Sequence, residues 1–204
     1  MEYLRLMLGS YLLGATPFAY LVARFFRGVD IRRVGSRNAG ATNVLRQAGF
    51  GPALITGIGD VGKGALAVWW AGVYLTDVSV APLLALTAAM IGHNWSVWLR
   101  FEGGGGAATF FGGMLSIAWG TLLYLVPLWA LSYRLTRHKY LSSVLTCGAI
   151  PVVLGTYLNS WQHFYFGVAA GCVMGSKQVL AWMRAASRSP GLPPPTARTI
   201  PGAG

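Results

Sequence analysis

AATFFGGMLSIAWGTLLYLVPLWALSY, residues 107–133, is the stretch that decides the fold. It is almost entirely apolar, and the base Arg134 follows it at once. Five other apolar runs come near the ~20 residues that a bilayer-spanning helix needs. They are about 3–23, 52–75, 79–99, 141–157 and 161–183. The number of membrane crossings therefore depends on whether 107–133 crosses once or twice.

The composition indicates a membrane protein. The chain is 54% hydrophobic and 10% charged, whereas ordinary soluble domains carry about 25% charged residues. Its formal net charge is +11, but the bases lie in the gaps between apolar runs, where membrane topology signals are found. This distribution argues against nucleic acid as a partner, because nucleic-acid-binding proteins gather their bases on one polar surface.

The positions of the bases favour two crossings by 107–133. Residues 24–50 carry six arginines and are taken as cytoplasmic. Two further spans then return Arg100 to the cytoplasm. A single crossing by 107–133 would place the later bases outside, whereas two crossings leave all 16 bases except Arg5 and Lys63 inside.

We therefore divide this stretch into short helices near 107–117 and 119–134, with a re-entrant segment as the alternative. The prediction is an all-α, polytopic membrane helix bundle of about seven transmembrane helices. Its N-terminus lies outside and its C-terminus is cytoplasmic. Residues 1–184 form one membrane domain, and the proline-rich residues 185–204 form a disordered cytoplasmic tail. The expected location is the cell (inner) membrane, as a multi-pass protein.

A polar, basic and glycine-rich loop follows the first apolar run. It reads VGSRNAGATNVLR, residues 34–46. Glycines let backbone amides approach an anion, and successive amides form a nest for phosphate. If a helix begins near Thr42, Asn43 and Arg46 share one face, and the guanidinium can bind phosphate through two nitrogens. The alternative is a flexible loop whose arginines only set the topology.

A second glycine-rich segment follows the third apolar run. GHNW at residues 92–95 precedes FEGGGGAAT at residues 101–109, so that four glycines lead into a predicted helix N-terminus. Such an end is a candidate phosphate cradle. His93 lies near the cytoplasmic end of its span. A histidine there is alternatively an interfacial side chain whose hydrogen bonds are satisfied.

Asp60 and Lys63 lie three residues apart inside an apolar run. Ionisable residues in a span are costly, and they usually pair or line a polar cavity. The two side chains either neutralise each other or leave Lys63 to face an anion. The chain has no zinc-ligand spacing and no GxxxxGK[ST] phosphate-binding loop. We therefore expect neither a metal nor a cofactor.

These motifs together resemble those of the PlsY-type bacterial glycerol-3-phosphate acyltransferases. Residues 35–43, GSRNAGATN, resemble the first family signature, GSGNxGATN. Residues 60–65, DVGKGA, resemble the family stretch DxxKGA. Residues 92–94 and 101–109 resemble the second signature, GHN followed by FKGGKGxAT. The resemblance extends over about residues 9–183.

The resemblance implies a seven-helix membrane enzyme whose active site faces the cytoplasm. Such enzymes move a fatty acyl group from acyl phosphate to the 1-hydroxyl of glycerol 3-phosphate. The product, lysophosphatidic acid, enters phospholipid synthesis. Acyl-CoA and metals are not implied. The partners implied are glycerol 3-phosphate, acyl phosphate, membrane lipid and the enzyme that makes acyl phosphate.

The resemblance also implies roles for individual residues. Ser36, Asn38 and Arg46 would hold glycerol 3-phosphate, with Ser36 and His93 as the catalytic positions. His93 would orient the substrate or relay a proton. The glycine loop and Lys63 would hold acyl phosphate. The glycine loop comprises Gly103, Gly104, Gly105 and Gly106, and the remaining substrate-binding positions are Thr42 and Asn43.

The chain departs from the family pattern at two signatures. Glu102 and Gly105 stand where FKGGKG has lysines, a loss of about three charge units. GSKQ, residues 175–178, stands where an HRxN-like stretch is expected after the last helix, and Lys177 would partly replace its charge. A paralogue with a less charged acceptor and a non-catalytic lipid-binding membrane protein are therefore the alternatives. Small-molecule transport has only the intramembrane charge pair in its favour.

Overall fold

The protein, seen in a computed structural model that describes residues 1–75 and 80–186, is helical over these residues, with no strand among them. They form nine α-helices and two short 3-10 turns, Val97–Leu99 and Trp119–Thr121. The helices are α1 (Glu2–Ala15), α2 (Phe18–Arg27), α3 (Ala41–Ala48), α4 (Phe50–Tyr74), α5 (Ala81–Asn94), α6 (Ala107–Ala118), α7 (Leu122–Thr136), α8 (Lys139–Tyr157) and α9 (Trp161–Ala186).

The outer faces of the helices are apolar. Leu4, Leu8 and Leu12 follow one face of α1 and are about half exposed, and on α4 Leu54 is exposed to a similar extent and Ile58 to a greater one. Three helical stretches of the described chain are long and apolar enough to cross a membrane: Glu2–Arg27, Ala107–Thr136 and Lys139–Tyr157. Soluble monomers rarely expose apolar surface of this extent, so the exterior fits lipid.

The predicted break inside 107–133 is confirmed. Ala118, where α6 ends, has φ −160° and ψ 68°, which is not helical, and a 3-10 turn separates it from α7. The helices on either side have different neighbours, because α6 packs mainly on α4 and α7 mainly on α8. Both are shorter than a normal span, with 12 and 15 residues.

The apolar run 3–23, predicted as one span, lies within the candidate membrane span Glu2–Arg27, but its helix is interrupted. The helix stops at Ala15 and restarts at Phe18. Pro17 has no backbone N–H, and a proline keeps the residue before it out of the helical region. Thr16 accordingly has φ −54° and ψ 118°. The break leaves backbone carbonyls near the centre of the bundle.

Two other boundaries differ from the sequence prediction. The run 79–99 ends as a helix at Asn94, because the chain there turns back to hydrogen-bond the following glycine loop. Residues 175–178 lie inside α9 rather than after the last helix, since α9 continues to Ala186. The remainder of the predicted tail, 187–204, lies outside the described residues.

Glycines bring three pairs of helices into close contact. A Cβ atom on Gly14 or Gly92 would meet the backbone across the α1–α5 contact, and one on Gly64 or Gly112 would do so across α4–α6. Gly167 has the same relation to α8 across the α8–α9 contact. Small residues that let backbones approach are the usual packing device of helices in lipid. These contacts fix α4 and α5, which carry the candidate site.

Candidate active site

A buried polar cluster of Asp60, Lys63 and His93 lies between α4 and α5. Lys63 Nζ is 2.9 Å from Asp60 Oδ1, and His93 Nδ1 is 3.4 Å from the same oxygen. The side chains of Asp60 and Lys63 are each 2% exposed. The sequence leaves open whether Asp60 and Lys63 pair with each other or Lys63 faces an anion. The structure shows them paired, and it adds His93 to the pair.

The broken first helix completes the surroundings of this cluster. Lys63 Nζ donates a hydrogen bond to the carbonyl of Thr16 at 3.1 Å. Ser96 Oγ donates to the carbonyl of Ala15 at 2.6 Å. The Phe18 ring lies 5.9 Å from Lys63 Nζ, within the range of a cation–π contact. The buried lysine thus has a backbone oxygen as well as the Asp60 carboxylate as partners inside the protein.

The second glycine loop is tied to the end of α5. The amide of Gly103 donates to the carbonyl of Asn94 at 3.1 Å, and that of Gly104 donates to the carbonyl of His93 at 3.0 Å. Two of the four amides in the expected phosphate cradle are therefore already engaged within the protein. Gly105 and Gly106 have no protein acceptor for their amides among the described residues, and they stand at the N-terminus of α6.

The two signature loops meet beside His93. A Cβ atom on Gly104 would lie 2.7 Å from the carbonyl oxygen of Ala39 and would overlap His93 Nε2. Only glycine therefore fits at this contact. A cavity of about 10 Å³ remains there, lined by Ala39, Asp60, Lys63, His93 and Gly104 among others. Such a volume holds about one water molecule.

Asn43 organises the first signature loop from within. Its Oδ1 accepts the amide of Ser36 at 3.1 Å. Its Nδ2 lies 3.0–3.1 Å from the carbonyls of Ile31, Val34 and Asn38. Because the side chain is buried and these contacts occupy its polar atoms, Asn43 shapes the loop instead of facing a ligand.

The other predicted residues of this loop are on the surface. Ser36, Asn38, Thr42 and Arg46 are exposed. The predicted start of a helix near Thr42 is confirmed, because α3 begins at Ala41. Asn43 and Arg46 do not both face the site, since the first is buried and the second is open to solvent.

The exposed side of the loops forms an arginine groove of about 660 Å³, which the sequence did not predict. Its lining residues are Asp30, Arg32, Arg33, Arg37, Arg100 and Glu102. The groove combines residues in and just before the first loop with Arg100 and Glu102 at the start of the second, which no local pattern brings together.

Asp30 and Arg32 form the fixed wall of the arginine groove. Arg32 contacts both carboxylate oxygens of Asp30, at 3.0 and 2.7 Å, and also donates to the carbonyl of Leu99 at 3.0 Å. The hydrogen bonds from Arg32 hold the pKa of Asp30 below its usual value, against an opposing effect of partial burial. Glu102 reaches the other side of Arg32 at 3.5 Å.

An apolar groove of about 590 Å³ lies between α3 and α4. Its lining includes Thr42 and Leu45 from α3, and Gly57, Ile58 and Gly62 from α4. Gly57 is three residues from Asp60, so the helix turn between them joins the apolar groove to the buried polar cluster. Thr42, predicted to bind substrate, lies at this groove and not in the arginine groove.

Comparisons with known proteins identify the family. The family model for glycerol-3-phosphate acyltransferase matches residues 4–186. A protein of that name from Synechococcus sp. (strain JA-2-3B'a(2-13)) is 40% identical over 174 residues, covering 81% of this chain and 82% of that protein. Another, from Desulforudis audaxviator (strain MP104C), is 38% identical over 159 residues, covering 78% and 79%.

Solved structures show the same fold. The crystal structure of PlsY, an integral membrane glycerol 3-phosphate acyltransferase, in its glycerol 3-phosphate form has a TM-score of 0.80 and 25% identity, covering 92% of this chain and 94% of that one. Its lysophosphatidic acid form has a TM-score of 0.78 and 24% identity, covering 92% and 93%. The chain therefore belongs to the glycerol-3-phosphate acyltransferase family, of the PlsY type that its two signatures resemble, and is an integral membrane protein.

Proposed function

We propose that this protein transfers a fatty acyl group from acyl phosphate to the 1-hydroxyl of glycerol 3-phosphate, forming lysophosphatidic acid for phospholipid synthesis. The observation that carries the proposal is the meeting of the two signature loops at Ala39 and Gly104, directly above the buried polar cluster. A charged groove and an apolar groove adjoin these loops. One suits a water-soluble phosphate and the other a fatty chain.

The apolar groove is the proposed path of the acyl chain. Its lining is apolar apart from Thr42, and Gly57 and Gly62 leave room for a chain alongside α4. The acyl phosphate end would then lie toward the Asp60 side of α4. There Lys63 and the amides of Gly105 and Gly106 are the donors that we assign to its phosphate.

The reaction needs no enzyme nucleophile, because acyl phosphate is a mixed anhydride whose acyl group is already activated. The hydroxyl oxygen of glycerol 3-phosphate bonds to the acyl carbonyl carbon, and the bond from that carbon to the phosphate oxygen breaks. His93 takes the hydroxyl proton and passes it to the departing phosphate. Asp60 contacts His93 Nδ1, which leaves Nε2 for the substrate, as in other base–carboxylate pairs.

Positioning accounts for the remaining signature residues. Ser36, Asn38 and Arg46 are exposed around the first loop and are assigned to glycerol 3-phosphate. Asn43 and the two tied glycines of the second loop hold these groups in place. Holding two reactants in the correct geometry supplies a large part of the rate in reactions of this kind.

The topology proposal follows from the same distribution of bases. Seven crossings, an outside N-terminus and a cytoplasmic C-terminus place the arginine groove and both signature loops in the cytoplasm, where glycerol 3-phosphate is found. The cell (inner) membrane is the proposed location. A cytoplasmic site also allows transfer of acyl phosphate from the enzyme that makes it, which we propose as a partner.

The experiment is an assay of the purified protein in lipid nanodiscs with acyl phosphate and glycerol 3-phosphate. We expect lysophosphatidic acid and inorganic phosphate in equal amounts. Arg46→Ala should lower turnover at limiting glycerol 3-phosphate, whereas Lys139→Ala, at the start of α8 and outside the loops, should leave it unchanged. Absence of product from a folded wild-type protein would contradict the proposal and favour the paralogue or the non-catalytic alternative.

A further inference from the structure

Three unusual backbone conformations mark the arginine groove and its edge. Arg37, Arg100 and Phe101 have φ of 59°, 53° and 66°. Only two other non-glycine residues among those described have positive φ. A left-handed residue with a side chain is disfavoured relative to glycine, and such strain is concentrated at functional sites. The family signature has glycine at position 37, so this chain keeps an arginine there against a backbone preference.

The charges in the groove do not cancel. Four guanidinium groups face two carboxylates, which leaves a net charge of +2. Arg32 is held by Asp30 and Glu102, and Arg33 lies 3.7 Å from Asp30. Across the described residues, neither Arg37 nor Arg100 has an acidic partner within 4.0 Å. Two guanidinium groups without acidic partners in one groove have the charge and the hydrogen-bond donors to bind a dianion.

The sequence shows that Arg37 is a gain of charge relative to the family signature. The second signature loses its lysines at Glu102 and Gly105, while the first signature gains a base at Arg37. Arg37 is two residues from Ala39, and Glu102 is two residues from Gly104, at the contact beside His93. The gained charge therefore lies against the same pair of loops as the lost charges.

We infer that the arginine groove binds the phosphate of glycerol 3-phosphate, with Arg37 and Arg100 as the residues that neutralise it. The inference rests on the proposed function. The groove is lined only by charged residues, so it suits a small water-soluble phosphate and offers nothing to a fatty chain. A phosphate monoester carries nearly two negative charges at neutral pH, which matches the net charge of the groove.

The two arginines allow a test that separates binding from folding. Arg37→Gly and Arg100→Gly each remove a guanidinium and also relieve a left-handed residue, so the thermal stability of both variants should be at least that of wild type. Each should raise KM for glycerol 3-phosphate about tenfold, or about 1.4 kcal/mol. KM for acyl phosphate should change less than twofold. Arg27→Ala, an exposed base at the end of α2 outside the groove, is the matched control for lost charge.

Equilibrium binding makes the test independent of turnover. Calorimetry with glycerol 3-phosphate alone, in nanodiscs of neutral lipid, should give binding that weakens in both glycine variants. Glu102→Lys added to Arg37→Gly should restore it, because it returns a signature lysine to the same groove. The same titrations in nanodiscs with anionic lipid distinguish a soluble phosphate from a lipid headgroup.

The outcomes separate this inference from the proposed function. Wild type that binds glycerol 3-phosphate through these arginines but makes no lysophosphatidic acid would support the groove and refute the function. Normal turnover with unchanged KM in both variants would refute the groove and leave the function standing. Arginine-dependent binding of anionic lipid, without binding of glycerol 3-phosphate, would also overturn the inference.

Discussion

The buried polar cluster and the arginine groove treat charge in opposite ways. In the cluster, Asp60 and Lys63 are 2% exposed and form an ion pair at 2.9 Å. In the groove, Arg33 is 84% exposed, and Arg37 and Arg100 lack acidic partners among the described residues. Buried charges must be matched inside the protein, since an unmatched one is costly to desolvate. Exposed charges can remain unpaired until a ligand binds, because water stabilises them in the meantime.

The sharpest way to test this contrast is to remove one charge from the cluster. Lys63→Met leaves Asp60 buried without its main counter-charge, and we expect a loss of about 3–5 kcal/mol in unfolding free energy. The double variant Asp60→Asn with Lys63→Met should recover most of this stability but no activity. Thermal unfolding of the single and double variants measures the difference. A single variant as stable as wild type would show that the pair is not desolvated.

The next largest effect concerns the contact between the two loops. Gly104→Ala should displace Ala39 or His93, because its Cβ has no space, and we expect kcat to fall about 100-fold. Gly72→Ala on α4 is the control, since a Cβ there meets nothing within 4 Å. Steady-state kinetics with both substrates provides the measurement. Equal activity in the two alanine variants would argue against the loop contact.

Asn43 holds the first signature loop together and should give an intermediate effect. Asn43→Asp keeps the acceptor for the Ser36 amide but turns a carboxylate oxygen toward three carbonyls, which should cost about 1–3 kcal/mol. We expect a raised KM for glycerol 3-phosphate together with lower stability. Asn159→Asp, in the turn after α8, removes the same amide from a site without these bonds and should be neutral. A neutral Asn43→Asp would mean that the loop holds its shape without this side chain.

The smallest effect belongs to the wall of the groove. The pKa of Asp30 is lowered from 3.8 by Arg32, so its stabilising contribution is complete above that value and is lost as pH falls through the lower, folded-state pKa. Asp30→Asn should cost no more than about 1 kcal/mol at neutral pH, and wild type should lose this advantage in strong acid. Unfolding temperatures of both proteins, measured from neutral pH downward, test this. An advantage that grew in acid would contradict the assigned sign.

The sequence predicted features that depend on neighbours along the chain. The start of α3 and the Asp60–Lys63 pair follow from local patterns, and the break within 107–133 follows from the positions of the bases along the chain. It missed features that join distant segments. The bonds from Lys63 to Thr16 and from Arg32 to Leu99 link residues 47 and 67 positions apart. Hydropathy carries no signal for such bonds. The break between α1 and α2 could have been predicted, because a proline, Pro17, stands there in the sequence.

The break between α1 and α2 also bears on how a charged side chain can be buried among helices. An intact helix uses its carbonyls on its own amides, and a lipid interior offers no other oxygen. The interruption at Thr16 and Pro17 redirects two carbonyls, one toward Lys63 and the other toward Ser96. The carbonyl of Thr16 therefore takes the place of one water molecule beside the lysine and, unlike water, cannot reorient or leave.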